Sequence, residues 1–215
     1  YCAGYLFFLG MKYVWPCLNA GLVTSKKKGV YQMKKKRLDV RTMAYLAMFI
    51  GLTTVLSLLG EFMPIRMPQG GSISLDVIAI FLCAYLLGTW EGVVCGVCVS
   101  ILQFVLGIAL YYGPWSVLLD YVLPLAVCGL ASLIKIVRVR NVNLYLGVIM
   151  SMVLKYLCHF ASGAFLFGSY APEGMHPVIY SLGYNLPYNL ATLVVAYIAV
   201  TLLYPVLHKA LRFSK

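Results

Sequence analysis

The chain has 215 residues, 62% of them hydrophobic and only 11% charged, with a mean hydropathy of +0.90 and a formal net charge of +11. A soluble domain carries about twice that share of charge, so a soluble globular fold is excluded and an all-α integral membrane protein is expected. No P-loop pattern occurs and no hydrophilic segment is long enough for a second, soluble domain, so any pumping must draw on a partner or a gradient.

Residues 1–24 are apolar but irregular, with Lys12, Pro16 and Asn19 inside, and read as a signal-like or membrane-associated leader or as upstream sequence. Met33 offers an alternative start. An extra span at residues 5–23 would put only the far N-terminus outside. Residues 1–37 are therefore set apart from a single membrane domain over 38–215. Lys26, Lys27, Lys28, Lys34, Lys35, Lys36, Arg37 and Arg41 form a collar before the first strong span. Beside a transmembrane segment such a cluster reads as cytoplasmic anchoring on anionic lipid, not as nucleic-acid binding.

Six spans follow, approximately Val40–Met63, Ser74–Leu87, Gly92–Tyr112, Ser116–Ile136, Leu144–Phe167 and Val178–Leu207. The charge pattern orients them. The eight residues of the collar, Lys135, Arg138 and Arg140 after the fourth span, and Lys209, Arg212 and Lys215 at the end make fourteen of the seventeen basic residues on one side. Positive-inside then places both termini in the cytoplasm. The segments 63–74, Tyr111–Trp115 and 168–177, rich in aromatics, Gly or Pro, face outward, and Trp115 is expected beside any site beneath them.

Seven cysteines lie scattered through apolar runs and imply no disulfide framework. Cys95 and Cys98 make a lone C-x-x-C in mid-span and read as small apolar helix residues, with no metal implied. The informative groups are polar ones at membrane depth, which are costly unless they face a cavity or a partner. His159, Tyr170, Tyr180, Tyr184 and Asn185 punctuate an oily helix–loop–helix, and Asp120 sits next to Tyr121 in the fourth span. By depth, Asp120 and His159 can meet from neighbouring helices. Either they line a ligand pocket or they brace packed helices; chemistry alone does not choose. Lys155 is expected to snorkel or pair internally. Asp76 reads as a helix-start carboxylate favoured by the dipole. Glu61, Glu91 and Glu173 read as solvated. The first span is read as carrying small residues on one face, Ala44, Ala47, Gly51 and, further on, Ser57, for internal packing or docking.

The run CHFASGAFLFGSYAPEGMHPVIYSLGYN (158–185) closely resembles the signature of the thiamine-specific S components of energy-coupling factor (ECF) transporters, the ThiT family. MPQGGSISL (67–75) resembles that family's first outer loop and LLDYVLPLAVCGLAS (118–132) its fourth helix. Matching segments run from about residue 40 to 207. The resemblance implies a six-helix S-component fold in the bacterial plasma membrane and a high-affinity thiamine site in the outer half of the bilayer. It implies transport only together with a T scaffold subunit and two ATPase subunits, and no cofactor. By position it assigns Asp120, Tyr121, His159, Phe167, Tyr180 and Asn185 to the ligand, Gln69, Gly70, Gly71 and Ser72 to a lid, and Ala47 and Gly51 to docking on the scaffold. Carboxylate, imidazole and amide would read the aminopyrimidine, and aromatic faces would hold the thiazolium cation. Asp120 stands where the family usually has Glu, Phe167 where it has Trp, and Val99 where some members have Trp. Two alternatives are carried: an S component for another vitamin or for the hydroxymethylpyrimidine precursor, and an intramembrane enzyme using His159 and Asp120 as acid and base. No nucleophile or further His or Cys ligand accompanies that pair at suitable spacing.

Overall fold

The computed structural model of the chain describes residues 39–62, 67, 71–140 and 142–213, the side chains of Arg212 and Phe213 excepted. The expectations for residues 1–37 and for Gln69 and Gly70 lie outside the described residues. Among the described residues six helices carry the fold: α1 (Val40–Glu61), α2 (Asp76–Leu86), α3 (Thr89–Val105), α4 (Pro114–Leu133), α5 (Leu146–Phe165) and α6 (Pro177–Phe213). Of these, α1, α4, α5 and α6 are long and apolar enough to cross a membrane, while α2 and α3 are apolar but shorter.

The ends differ from expectation for local reasons. α3 stops at Val105 and does not reach Tyr112, because Gly107 and Gly113 take φ of 70° and 108° and turn the chain out of the helix. α6 runs on past Leu207 to Phe213, through Pro187 and Pro205. The basic loop after the fourth span is not irregular: β1 (Val137–Val139) and β2 (Val142–Leu144) form an antiparallel hairpin, with Arg140 at φ 53° in its two-residue turn.

α4 is not uniform. Pro114 opens it at a position where a missing N–H costs nothing. Val117–Val122 is a π-helical turn, Leu123–Cys128 is α-helical and Gly129–Leu133 tightens to 3-10 geometry. Pro124 offers no N–H to the Asp120 carbonyl four residues back, so the ladder widens at that point. The widened turn carries Asp120 and Tyr121.

The helices meet through small residues. Gly92 and Gly96 of α3, a G-x-x-x-G pair, lie against the α4 backbone at Gly129 and at Leu125–Ala126, where an added Cβ on Gly92 would stand 3.0 Å from the Gly129 carbonyl oxygen. α1 turns Thr53, Ser57 and Gly60 inward, with Ala44, Ala47 and Gly51 on its exposed side. Ser57 is buried with Thr53 and Gly60 and does not share that exposed face: at 100° per residue it lies about 80° around the helix from Ala47 and about 120° from Gly51. The apolar core packs Val77, Ile80 and Phe81 of α2 against Cys95 and Val99 of α3, Cys128 of α4, Val148 of α5 and Val200 of α6. Four tyrosines close the end of this core next to the hairpin. Tyr145 lies edge-on to Tyr85, Tyr197 and Tyr204, with centroids 5.7, 6.4 and 5.7 Å away.

Candidate functional site

Past that apolar half the same helices open around a cavity of about 320 Å³, near the low end of the ~300–1,000 Å³ common for small-molecule sites. Its wall is built first on the π turn of α4. The Asp120 carboxylate accepts hydrogen bonds from Ser116 Oγ at 2.8 Å, one turn earlier, and from Ser162 Oγ of α5 at 2.7 Å. Asp120 Oδ1 stands 3.5 Å from His159 Nδ1. The predicted meeting of these two groups across α4 and α5 is thus present. Tyr121, beside it, accepts from the Leu110 N–H at 2.9 Å and packs edge-on to Phe104, so it holds the 107–113 loop against α4.

α6 supplies the facing wall. Tyr180, Tyr184 and Tyr188 recur every four residues and form a ladder with centroids 5.6 and 6.4 Å apart. Tyr188 is edge-on to the His159 ring, and its hydroxyl donates to Asn185 Oδ1. Asn185 Nδ2 donates to the Ser181 carbonyl, to Ser181 Oγ and to the His159 carbonyl. Both ends of the Asn185 amide are thus engaged with protein, and the residue braces α5 against α6 at the cavity wall. Gly163 is needed there: an added Cβ would stand 3.0 Å from Asn185 Nδ2 and closer still to Ser181 Oγ. Phe167 lies at the mouth, edge-on to Tyr112 at 5.2 Å.

The cavity floor is polar in a way the sequence reading missed. Asp76 opens α2, as expected of a helix-start carboxylate, but its surroundings were not foreseen. It is buried, accepts from Ser57 Oγ at 3.2 Å and Gln103 Nε2 at 3.0 Å, and its other oxygen accepts from the Val77 N–H. Lys155 does not snorkel but pairs internally, the other arm of its expectation. It is buried beside His159 Nε2 at 3.2 Å and reaches Ser74 Oγ at 3.3 Å and Asn189 Oδ1 at 3.4 Å. Both residues line the cavity. Glu91, expected in solvent, is buried as well, folded back on Gly88 at the start of α3. The signal for Gln103 was available: it is a lone amide in the apolar run VCVSILQFVLG. Four-residue spacing from Tyr180 and Tyr184 pointed equally to Tyr188.

The segment before α2 enters the cavity as non-helical backbone, which membrane proteins tolerate where it lines a cavity. Gly71 and Ser72 are lining residues. Gly71 lies on the Tyr188 ring, where an added Cβ would be 2.7 Å from Cε1. The Ser74 N–H donates to Thr192 Oγ1 at 3.2 Å. Ala47 and Gly51 lie on the exposed face of α1 and do not line this cavity, and among the described residues no side chain lies within 4 Å of where a Gly51 Cβ would be. Trp115 is 65% exposed and is not a lining residue, because the first turn of α4 points it outward. Tyr170 is exposed too, and His176 Nδ1 accepts from the Val178 N–H at the start of α6.

Chemically, the cavity offers a carboxylate and an imidazole on one wall, aromatic faces on the other, and a second carboxylate with an amine below. That suits a small polar heterocycle carrying positive charge. The comparisons with known proteins agree. The family model described as thiamine transporter protein (Thia_YuaJ) matches residues 43–212. The thiamine transporter ThiT of Bacillus subtilis (strain 168) is 32% identical over 161 residues, which cover 70% of this chain and 84% of that one. A solved structure of ThiT from Listeria monocytogenes superposes with a TM-score of 0.63 at 21% identity, covering 77% of this chain and 94% of that one, a likeness of fold. With the family match spanning most of the chain, this membrane protein belongs to the thiamine transporter protein family.

Proposed function

We propose that the chain is the high-affinity thiamine-binding S component of an ECF-type ABC vitamin uptake transporter in a bacterial plasma membrane. In this reading it has six spans, both termini cytoplasmic and the cavity in the outer half of the bilayer. The observation that carries it is the Asp120–His159 pair, set by Ser116 and Ser162 on the wall of an aromatic-lined cavity. The aminopyrimidine of thiamine meets Asp120 and His159, and the thiazolium lies among Phe167, Tyr180 and Tyr184. The short α2 is compatible with a span. Its 11 residues rise about 16 Å, and the non-helical stem before it adds to that length toward the ~30 Å of the hydrocarbon core.

Residues Gln69–Ser72 close over the ligand. Ala47 and Gly51 dock on a T scaffold subunit whose two ATPase partners drive reorientation and release. The chain itself carries no catalytic role in this scheme. The test is calorimetric titration of purified protein with thiamine and, in parallel, with hydroxymethylpyrimidine. Saturable thiamine binding abolished by Asp120→Ala and His159→Ala is the expected result. Tight binding that survives both substitutions removes the proposed site, and preference for hydroxymethylpyrimidine replaces the ligand. Docking is tested separately. Ala47→Leu should leave binding intact and abolish uptake in cells expressing the whole complex; unchanged uptake removes the docking role.

A further inference from the structure

The hairpin between α4 and α5 is amphipathic, and nothing in the reading above uses it. Its register pairs Val137 with Leu144, Arg138 with Asn143 and Val139 with Val142. Cross-strand partners share a face and alternate residues change face, so Val137, Val139, Val142 and Leu144 form one apolar side while Arg138 and Asn143 form the other. The apolar side is not buried against the helices: Val137, Val139 and Val142 are 39%, 50% and 59% exposed. A two-stranded ribbon with an uncovered valine face is not stable in water alone, so something apolar covers it.

Position and charge name the cover. The hairpin joins the ends of two helices long and apolar enough to cross a membrane, so it sits where they leave the hydrocarbon. It lies at the end of α5 away from the cavity, about 20 Å from His159 at 1.5 Å per residue. Lys135, Arg138 and Arg140 are exposed around it, and no acidic residue occurs in the sequence between Asp120 and Glu173. We propose that this hairpin is an interfacial anchor: its valine face lies on the acyl boundary of the bilayer and its basic residues hold the headgroups of anionic phospholipids. The placement rests on α4 and α5 crossing the membrane and is independent of which solute fills the cavity.

The test uses the full chain, with Trp15, Trp90 and Trp115 changed to Phe, in vesicles of identical leaflets so that orientation does not matter. A single reporter is introduced as Val139→Trp, with Val142→Trp as a second reporter on the same face and Asn143→Trp on the opposite face. The lipids are phosphatidylcholine alone or mixed with phosphatidylglycerol, either one brominated near the glycerol end of its chains. Trp at 139 or 142 is expected to emit to the blue of Trp at 143, to be quenched by brominated lipid and to be shielded from acrylamide. Brominated phosphatidylglycerol should quench it more than brominated phosphatidylcholine. Arg138→Gln with Arg140→Gln should lower that preference by roughly fivefold or more, the weight of a basic residue or two near such a surface. Acrylamide-accessible, unquenched Trp at both 139 and 142 overturns the anchor and leaves the face to a protein partner. Equal quenching by the two lipids with the arginines in place overturns the anionic headgroup assignment.

Discussion

The two halves of the helix bundle are made from the same helices and solve opposite problems. In the cavity half, α5 contributes Lys155, His159 and Ser162, and α6 contributes Ser181, Asn185, Tyr188, Asn189 and Thr192. These side chains bond to one another, to backbone carbonyls or to α4. In the other half the same helices contribute Val148, Met152, Ala196 and Val200, which meet α2, α3 and α4 by packing alone. Two polar atoms there are poorly served: the Tyr85 and Tyr145 hydroxyls are buried with no hydrogen-bond partner among the described residues. The difference separates recognition from scaffold. Substitutions in the cavity half should change affinity at nearly constant stability, and those in the packed half should do the reverse.

Asp120→Ala should have the largest effect. It strips Ser116, Ser162 and His159 of a shared acceptor and removes the carboxylate proposed to meet the cationic ligand; truncating one partner of a hydrogen-bonded charge contact across a binding site costs about 2–5 kcal/mol of affinity. Thiamine affinity by calorimetry should fall by roughly 100-fold or more. Asp120→Glu should keep binding within about tenfold, since the added methylene preserves the charge. A loss of melting temperature with affinity unchanged would place Asp120 in the scaffold class and break the division.

Gly129→Leu attacks the packed half. An added Cβ meets the α3 backbone at Gly92 and Val93, which cannot move aside as a flexible side chain would. Overpacking of this kind costs about 1–3 kcal/mol, and more when backbone must shift. The melting temperature in detergent should fall clearly, while the remaining folded protein binds thiamine with wild-type affinity.

How much of this division was legible in the sequence depends on the distance scale of each signal. The helices were legible because hydropathy over about twenty residues reflects membrane depth directly. The Asp120–His159 meeting was legible because depth along two antiparallel spans can be counted. The floor of the cavity was not. Asp76 and Lys155 were each read against their own helix, whereas their environment is set by Ser57 and Gln103 from α1 and α3 and by Ser74 from the stem. Ser57 was placed with Ala47 and Gly51 by residue size, although it turns inward with Thr53 and Gly60, away from their exposed face. The hairpin was hidden because three-residue strands carry too little alternation to stand out from a basic loop. The π turn of α4 depends on one missing N–H at Pro124, a local effect visible only once Asp120 is known to need its position.

Tyr188→Phe sharpens the comparison from within the cavity half. The ring stays against Gly71 and His159, so packing is retained, but Asn185 Oδ1 loses its donor. A single neutral hydrogen bond is worth about 1 kcal/mol. Thiamine affinity should fall by about fivefold through a loosened Asn185, with little change in melting temperature. Tyr188→Ala, which also removes the platform under Gly71, should raise the dissociation rate further, measurable by ligand chase. Equal rates for the two variants would show that the stem does not rest on this ring.

The smallest effect, and the one of opposite sign, belongs to Tyr145→Phe. Its ring is held edge-on by Tyr85, Tyr197 and Tyr204, and that arrangement survives loss of the hydroxyl. The hydroxyl itself is fully buried and makes no well-formed hydrogen bond among the described residues, with the Asn143 side chain beside it. A buried hydroxyl that makes no hydrogen bond costs stability, so its removal should stabilise the protein by about 0.5–1 kcal/mol. The melting temperature should rise by a degree or more, and thiamine affinity should not change, since Tyr145 lies in the packed half away from the cavity. Destabilisation instead would mean that the hydroxyl is paired, through Asn143, a buried water or a residue outside the described set. The packed half would then depend on a polar contact of its own, and the contrast between the two halves would be one of degree.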